Sequence, residues 1–577
     1  MEKNLLRYRI INCFRNIVIG ITIIISLFKS FDYWNDSLYM LGIWLIILSI
    51  GTIITSFSSN VSYTNMDFLM FGGLGYCLVL IAFHPNTPSE HYIVYYIFSF
   101  LLYTLLRIVF STGSISVSTV EYIFMLASLF EILSGYSQLI RGQSNSVLFP
   151  VTGNYNNPGP YSAYIVIGVV IAMKVLHSIF YEKKMSKRPI KAMIIPFIII
   201  VFGIIMLFIV FSRDALLCVT VFALKIFRPQ FKKHKKHILL LGILSISIVI
   251  YLKFGSFIGR FFNYYIALRL FVNNPFFGSG IGTMAEEYGI GLREYFSNNL
   301  NNMLFNINYL DYSDVILSEP LIVLVEQGLF GIIICAGICY YCYKGLGKFS
   351  ISILYGYEAF MLFSIFSYQF EYISYHIVIV VFIALSTCML EKKKEDFPIY
   401  ITLIYSTLCL CISFCFVNYT NTTIETKRMV SSLFGTNDSS VIKYYYKYYN
   451  DNQDDIVFLN EFSRILMVNH LFKDANAVLK NIVKITNNPN YYTVIGDNYM
   501  ELGDYTSALK NYKKSFYTLP NRMTPLYKEM ILYKKINKRT ALYYAALKVA
   551  KFQPKIKNAE TEKMRSEAIE VLKCINK

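Results

Sequence analysis

The chain has 577 residues, is 55% hydrophobic and only 16% charged, and carries a formal net charge of +18. A soluble chain of this length folds as several domains with roughly 25% charge, and a membrane barrel alternates polar and apolar residues. Apolar runs of about 20 residues exclude both and imply an all-α, polytopic membrane protein of about 12–13 transmembrane helices.

Residues 1–15 are basic and lead into an apolar run without a small-x-small cleavage site, so this run reads as a signal anchor and first span. Further spans are predicted at 38–56, 66–84, 91–110, 119–140, 160–180, 190–210, 213–227, 237–252, 318–343, 349–367, 373–390 and 399–417, after a first at 16–29. The shortest turn separates the seventh from the eighth, at 211–213. Lys and Arg then set the orientation. Lys3, Arg7, Arg9 and Arg15 precede the first span. Lys183, Lys184, Lys187 and Arg188 follow the sixth. Arg228, Lys232, Lys233, Lys235 and Lys236 follow the eighth, and Lys344, Lys348 and Lys392 to Lys394 complete the series. All fall on one side, which is the cytoplasmic side, so the clusters are topology determinants and no nucleic acid is implied. The 11 cysteines lie mostly inside apolar runs and read as small hydrophobes rather than as a disulfide framework.

The opposite face then holds three polar pieces. One is the loop at 153–165, G-N-Y-N-N-P-G-P-Y-S-A-Y-I. One is the segment 253–317. One is the tail from 418 to 577, which contains no span. In the tail Tyr492, Ile495, Gly496, Tyr499, Ala508, Tyr512, Ser515 and Pro520 match tetratricopeptide spacing. L-F-K-D-A-N-A-V-L before them and R-T-A-L-Y-Y-A-A-L after them read as degenerate copies. The predicted domains are therefore 1–417, transmembrane with the large outer loop 253–317, and 418–577, an extracytoplasmic helical repeat.

Ionisable groups on this face carry the chemistry. Arg213, Arg260 and Arg269 offer planar donor forks suited to phosphate. Arg260, Tyr264, Ala267 and Leu268 share a helical face, and residues 273–275 end that helix at Pro275. Gly278, Gly280 and Gly282 follow, with neither the preceding strand nor the G-K-[ST] of a nucleotide site, so they read as sites of close backbone approach. The acids are Glu286, Glu287, Glu294, Asp311, Asp314 and Glu319. They show no metal-ligand spacing, and no metal or other cofactor is expected. In the first loop Pro160 suits a helix start, while Asn154, Asn156 and Asn157 suit sugar hydroxyls. Tyr155 and Tyr161 suit pyranose faces.

Four motifs together resemble the O-antigen ligase and polymerase-like family of bacterial envelopes, which includes protein O-oligosaccharyltransferases. The loop is similar to the family's G-x-x-x-N-P-N-x-F-A-x-Y through Gly153, Asn157, Pro158, Tyr161, Ala163 and Tyr164. F-S-R-D-A resembles S-R-G-A at Arg213. The stretch through Arg260, Pro275, Gly278 and Gly280 resembles R-x-x-x-W-x-x-A-L…P-L-x-G-x-G-x-G. S-E-P-L-I-V-L-V-E-Q-G-L-F-G resembles H-N-x-Y-L-x-x-x-x-E-x-G-x-x-G through Glu326, Gly328 and Gly331. The likeness spans roughly 119–417.

The resemblance implies en bloc transfer of a glycan from undecaprenyl diphosphate to an acceptor hydroxyl, at the outer face of the bacterial inner membrane. It assigns the diphosphate to Arg213 and Arg260, while the amide and ring chemistry of the loop marks Asn157 and Tyr161 as candidates to bind the glycan. The acceptor is a lipid A core, another glycan or a protein, with the repeats as a surface for a protein partner. Two departures stand out. Leu317 occupies the place of the family's histidine, which leaves Glu319 as the candidate base, with His376 and Glu371 as further groups that reach the outer face. Asp214 replaces a glycine and is expected to pair with Arg213. Two competing readings are a flippase for the same lipid-linked glycan, with Glu131 and Glu358 as intramembrane acids, and a non-catalytic scaffold.

Overall fold

The computed structural model describes the chain except for residues 1, 29, 32–33, 57–60, 85–89, 111–114, 147, 182–190, 229–253, 301–306, 391–395, 398 and 577. The span predicted at 237–252 lies outside the described residues. So do the basic groups at 183–188, 232–236 and 392–394.

The membrane part opens with α1 (Glu2–Ile25), α2 (Asp36–Ser56), α3 (Asn65–Phe83) and α4 (Glu90–Phe110). It continues with α5 (Val117–Arg141), α6 (Pro158–Tyr181), α7 (Lys191–Ile209) and α8 (Arg213–Ile226). After the polar helices α9 (Phe254–Asn273) and α10 (Met284–Asn299) come α11 (Glu319–Phe349), α12 (Ile351–Ser364), α13 (Ile373–Thr387) and α14 (Ile399–Leu433). Strand structure among the described residues is limited to two antiparallel pairs of two residues each, Ser30–Phe31 with Trp34–Asn35 and Val61–Ser62 with Asp396–Phe397. Among the described residues seven helices are long and apolar enough to cross a membrane by length and composition: α3 to α7, α11 and α14. The predicted spans in α1, α2, α12 and α13 appear as shorter apolar helices. Large apolar side chains stand exposed on the outward faces, among them Ile54, Phe83, Leu133, Phe208, Ile333 and Ile404, as lipid contact requires.

Two helices are apolar all round and therefore central. α6 is buried from Pro160 to Met173 and packs on α5, α7, α8 and α12. α13 is buried along its whole length and packs on α4 and α11. Small residues bring these helices close, as expected where lipid supplies no hydrophobic drive for helix association. A Cβ on Gly168 would meet the Ser128 side chain at 2.2 Å, and one on Gly345 would meet the Ser386 carbonyl oxygen at 2.3 Å. Ser128 Oγ donates to the Tyr164 carbonyl at 2.8 Å across the same α5–α6 contact.

The short turn between α7 and α8 is real. Phe211 takes a left-handed conformation (φ 55°), which costs of order 1 kcal/mol for a bulky residue and puts Arg213 at the first position of α8. The helix predicted over Arg260 and Tyr264 is α9, and it ends just before Pro275 as expected. The last membrane helix runs past the expected boundary. α14 does not stop at Val417 but continues to Leu433, so the tail is joined to the membrane part by unbroken helix.

The tail is a run of helices: α15 (Ile442–Tyr448), α16 (Ile456–Val468), α17 (Phe472–Ile485), α18 (Pro489–Glu501), α19 (Tyr505–Thr518), α20 (Thr524–Lys535), α21 (Arg539–Lys551) and α22 (Ala559–Asn576). The pairs α16–α17, α18–α19 and α20–α21 each turn on one left-handed residue: His470, Gly503 and Asn537. These turns recur after 33 and 34 residues, and each closes with the same backbone pattern, a 6→1 bond following the left-handed residue. Gly496 admits the Tyr512 ring, which a Cβ would meet at 2.5 Å.

Tail and outer segment share a core. Leu519 packs with Phe262, Leu292 and Phe296, and a Cβ on Gly289 of α10 would meet Asn487 Cβ at 2.1 Å. Asn521 Nδ2 donates to the carbonyls of Ile307 (2.9 Å) and Leu310 (2.8 Å). Thr486 donates to Asp314, and Lys555 pairs with Asp311.

Candidate active site

Arg213 lies within electrostatic reach of Arg260. Arg260 Nη1 donates to Asp214 Oδ2 at 2.9 Å, and the Arg213 guanidinium faces both that carboxylate and the Arg260 charge. Asp214 therefore pairs with Arg260, where pairing with Arg213 was expected. The reason is geometric: the Arg260 side chain of α9 reaches the start of α8, while neighbouring residues of one helix point apart. Arg260 Nε is buried with no hydrogen-bond partner in the protein, which is costly for a charged donor. Arg213 also sits at a helix N-terminus, where a cation is disfavoured and an anion favoured. Arg269 lies apart from the pair, against the rings of Tyr265 (6.0 Å) and Tyr295 (5.6 Å).

From Arg260 a path of hydrogen bonds leads to the first loop. One turn along α9, the Tyr264 hydroxyl donates to the Leu317 carbonyl at 2.8 Å. Two residues on, Glu319 Oε1 accepts from the Phe370 amide at 2.7 Å. Phe370 belongs to the 3-10 turn Gln369–Glu371, which leads into α13. There the Tyr372 hydroxyl donates to Asn156 Oδ1 at 2.5 Å, and the Tyr375 hydroxyl donates to the Pro160 carbonyl. Gln369 is fully buried on this path, and neither end of its side-chain amide has a partner in the protein.

The glycines hold α11 in place. α11 is broken at Gly328 (φ 65°, ψ −162°), and the loop 275–283 fits into the break. Ser279 N donates to Val325 O and Gly280 N to Glu326 O, both at 2.9 Å, while Leu329 N donates back to Pro275 O at 2.9 Å. Glu326 Oε1 accepts from Met284 N at 3.1 Å. A Cβ on Gly278 would lie 2.3 Å from the Glu326 carbonyl carbon, and one on Gly328 would lie 2.3 Å from the Phe276 oxygen. Close backbone approach is thus what these glycines provide, as the sequence implied. Irregular backbone inside a membrane protein survives only when protein covers it in this way.

Other expected site residues fall elsewhere. Tyr161 is fully buried and donates to the Glu131 carbonyl at 3.1 Å, so it packs α6 on α5 and is no sugar platform. Asn157 Oδ1 accepts from Gly159 N at 2.9 Å and shapes the start of α6. His376 is buried between Ser99 Oγ (3.1 Å) and the Phe370 carbonyl (3.0 Å), with both ring nitrogens engaged. Glu371 accepts from the Tyr92 hydroxyl. The two intramembrane acids have local partners: Glu131 accepts from Asn154 Nδ2 at 3.0 Å, and Glu358 pairs with Lys225. One network had no forecast. Asp67 Oδ1 accepts from Arg107 Nε at 3.2 Å and from the Tyr103 hydroxyl at 2.6 Å, joining α3 to α4. All eleven cysteines are free thiols. Among the described residues no group of three or more His, Cys, Asp or Glu could hold a metal ion.

The arrangement can hold an anion between two arginines, with a carboxylate at Glu319 and uncharged amides nearby. No protein-family model matches the chain, and no curated protein matches it.

Proposed function

We propose that the protein transfers a glycan en bloc from undecaprenyl diphosphate to an acceptor hydroxyl at the outer face of a bacterial inner membrane. The observation that carries this reading is the convergence of all four motifs on one hydrogen-bonded path, from Arg260–Asp214 through Tyr264, Leu317, Glu319 and Phe370 to the loop at Asn156 and Pro160. Motifs so far apart in sequence gain nothing from meeting unless they share a task.

In this mechanism Arg213 and Arg260 bind the diphosphate, with the unpartnered Arg260 Nε completing the fork. The acceptor oxygen attacks the anomeric carbon of the first sugar. The bond from that carbon to the phosphate oxygen breaks, and its electron pair leaves with undecaprenyl diphosphate. The two guanidiniums stabilise this charge, an electrostatic contribution of about 3–4 kcal/mol per well-aimed group. Glu319 takes the acceptor's proton; its Oε1 is oriented by the Phe370 amide. The 33- and 34-residue recurrence of the tail turns supports a tetratricopeptide-like tail. The Lys and Arg distribution supports a cytoplasmic N-terminus with that tail outside. Local partners for Glu131 and Glu358 count against the flippase reading, which needs ionisable groups free to exchange cargo.

The test is a deletion strain complemented with wild type, Arg260→Ala or Glu319→Gln, following lipid-linked glycan, lipopolysaccharide and glycoprotein together. Accumulation of donor outside, with loss of sugar from one acceptor class in both variants, is expected. Donor held inside points to a flippase. Full complementation by Arg260→Ala sinks the diphosphate assignment and favours a scaffold. Unchanged turnover in Glu319→Gln removes Glu319 as the base.

A further inference from the structure

A cavity of about 430 Å³ opens in the seam between α10 of the outer segment and α17, α18 and α19 of the tail. Its charge is lopsided. Arg293, Lys480, Lys484, Lys510 and Lys514 line it, against one acid, Glu286. Lys480 and Lys484 are four residues apart on α17, and Lys510 and Lys514 are four apart on α19. Like charges at that spacing repel along a helix, and here two helices direct such pairs into one hollow. None of the four lysines forms an ion pair among the described residues within 4.0 Å. Burial, then Arg293 and Lys510, hold the Lys514 ammonium below the ordinary lysine range. Glu286 and the rings of Tyr492 and Tyr499 offset only part of this charge, which marks a place where something else supplies the rest.

We propose that this cavity binds an acidic saccharide, a sugar chain bearing carboxylate or phosphate. Ser507 and Asn511 add neutral hydrogen-bonding groups that suit sugar hydroxyls, and Arg293 and Lys480 lie over the Tyr492 and Tyr499 rings at 4.7 and 5.8 Å. Arg293 is fixed rather than free to follow its ligand: Nη2 donates to Asn487 Oδ1 (2.7 Å) and to the Tyr492 hydroxyl (3.1 Å). Basic clusters also hold acidic peptide segments; the neutral hydrogen-bonding groups beside the lysines favour a hydroxyl-rich anion, and a peptide is the alternative that the test separates. The assignment does not depend on the transfer reading, because binding is read directly.

The experiment uses the full chain in lipid nanodiscs and isothermal titration with three probes. These are a galacturonate tetrasaccharide, the same tetrasaccharide with its carboxylates reduced to alcohols, and a tetraglutamate peptide. The galacturonate is expected to bind in a salt-sensitive way, about tenfold or more tighter than either other probe. Lys510→Gln with Lys514→Gln should weaken it about tenfold, and so should Lys480→Gln with Lys484→Gln. Bound galacturonate should also protect Lys510 and Lys514 of the unmodified chain from amine acetylation, a readout that needs no variant. No galacturonate binding, binding indifferent to the lysines, or absence of protection overturns the site. Equal binding of tetraglutamate overturns the saccharide class and leaves a site for acidic protein segments. Inorganic phosphate as a competitor separates the sources: displacement at equal charge favours phosphate-bearing sugars over uronates.

Discussion

Arg260 lies one helical turn from Tyr264 on α9, with Nη1 on Asp214 and Nε unpartnered. Its fork geometry carries the proposed role, so charge alone should not replace it. Arg260→Lys is expected to lower transfer in proteoliposomes about tenfold, and Arg260→Ala about a hundredfold or more. Asp214→Asn should act in the opposite direction on binding, because the carboxylate competes with phosphate for the same guanidinium. A donor KM lowered about threefold to tenfold, at similar kcat, is the expected outcome. The arginines stood out in the sequence as charged forks beside apolar runs. The partner of Asp214 did not, since it depends on where a side chain of α9 reaches α8. Gln369 was not legible either: a neutral amide in an apolar stretch carries no signal until burial leaves both its ends unpaired. Tyr161 misled because a tyrosine reads alike whether it faces a ligand or a neighbouring helix.

At the scale of elements, the break in α11 decides where Glu319 sits. The half helix from Glu319 to Gln327 is aimed by the glycine loop lodged at Gly328. Gly328→Ala meets two obstacles, a φ of 65° and a backbone oxygen 2.3 Å from the new Cβ. A loss of about 2–3 kcal/mol in unfolding free energy, with transfer activity falling alongside, is expected. Gly72→Ala in α3 is the control, because a Cβ there meets nothing within 4 Å; it should be neutral or stabilise by up to about 1 kcal/mol. The glycines announced a close approach in the sequence. That the approach is to a broken membrane helix, with Ser279, Gly280 and Leu329 supplying its hydrogen bonds, is a property of the pair and of neither stretch alone.

Across the whole molecule the tail and the outer segment act as one packed body on the end of α14. Gly289 is a point of close approach in that contact, where an added Cβ would meet Asn487 Cβ at 2.1 Å. Gly289→Leu should force α10 away from Asn487 and speed proteolysis within residues 486–521, with helix content by circular dichroism unchanged. The same seam should respond to pH. Desolvation, first among the causes, raises the carboxyls of Asp314, Glu286 and Glu287 above the usual carboxylate range. Thr486 and Tyr312 pull Asp314 back down, while Glu287 adds to Glu286 and Lys484 opposes it. Each acid holds its proton more tightly folded than unfolded. Their contribution is therefore greatest below the ordinary carboxylate range and is lost as pH rises through the folded values. Hydrogen exchange at 310–316 and 486–490, corrected for intrinsic rates, should show the seam loosening from mildly acidic to neutral pH. Asp314→Asn should flatten that dependence.

The sequence by itself determined the all-helical membrane architecture, because apolar runs of fixed length leave the backbone no other way to satisfy its hydrogen bonds in lipid. It also determined where the helices start and stop, to within a few residues for most of them, since Pro, Gly and charge are local signals. It marked the arginines and the glycine loop as exceptional. Only the tertiary structure decided which exceptional residues meet. It put Arg213 beside Arg260, fitted 275–283 into the break at Gly328, and turned Tyr161 inward. It also gathered lysines from two helices of the tail, thirty residues apart, into one cavity beside α10. Those outcomes rest on distances between helices that are far apart in the chain, and residue type and spacing carry no record of such distances.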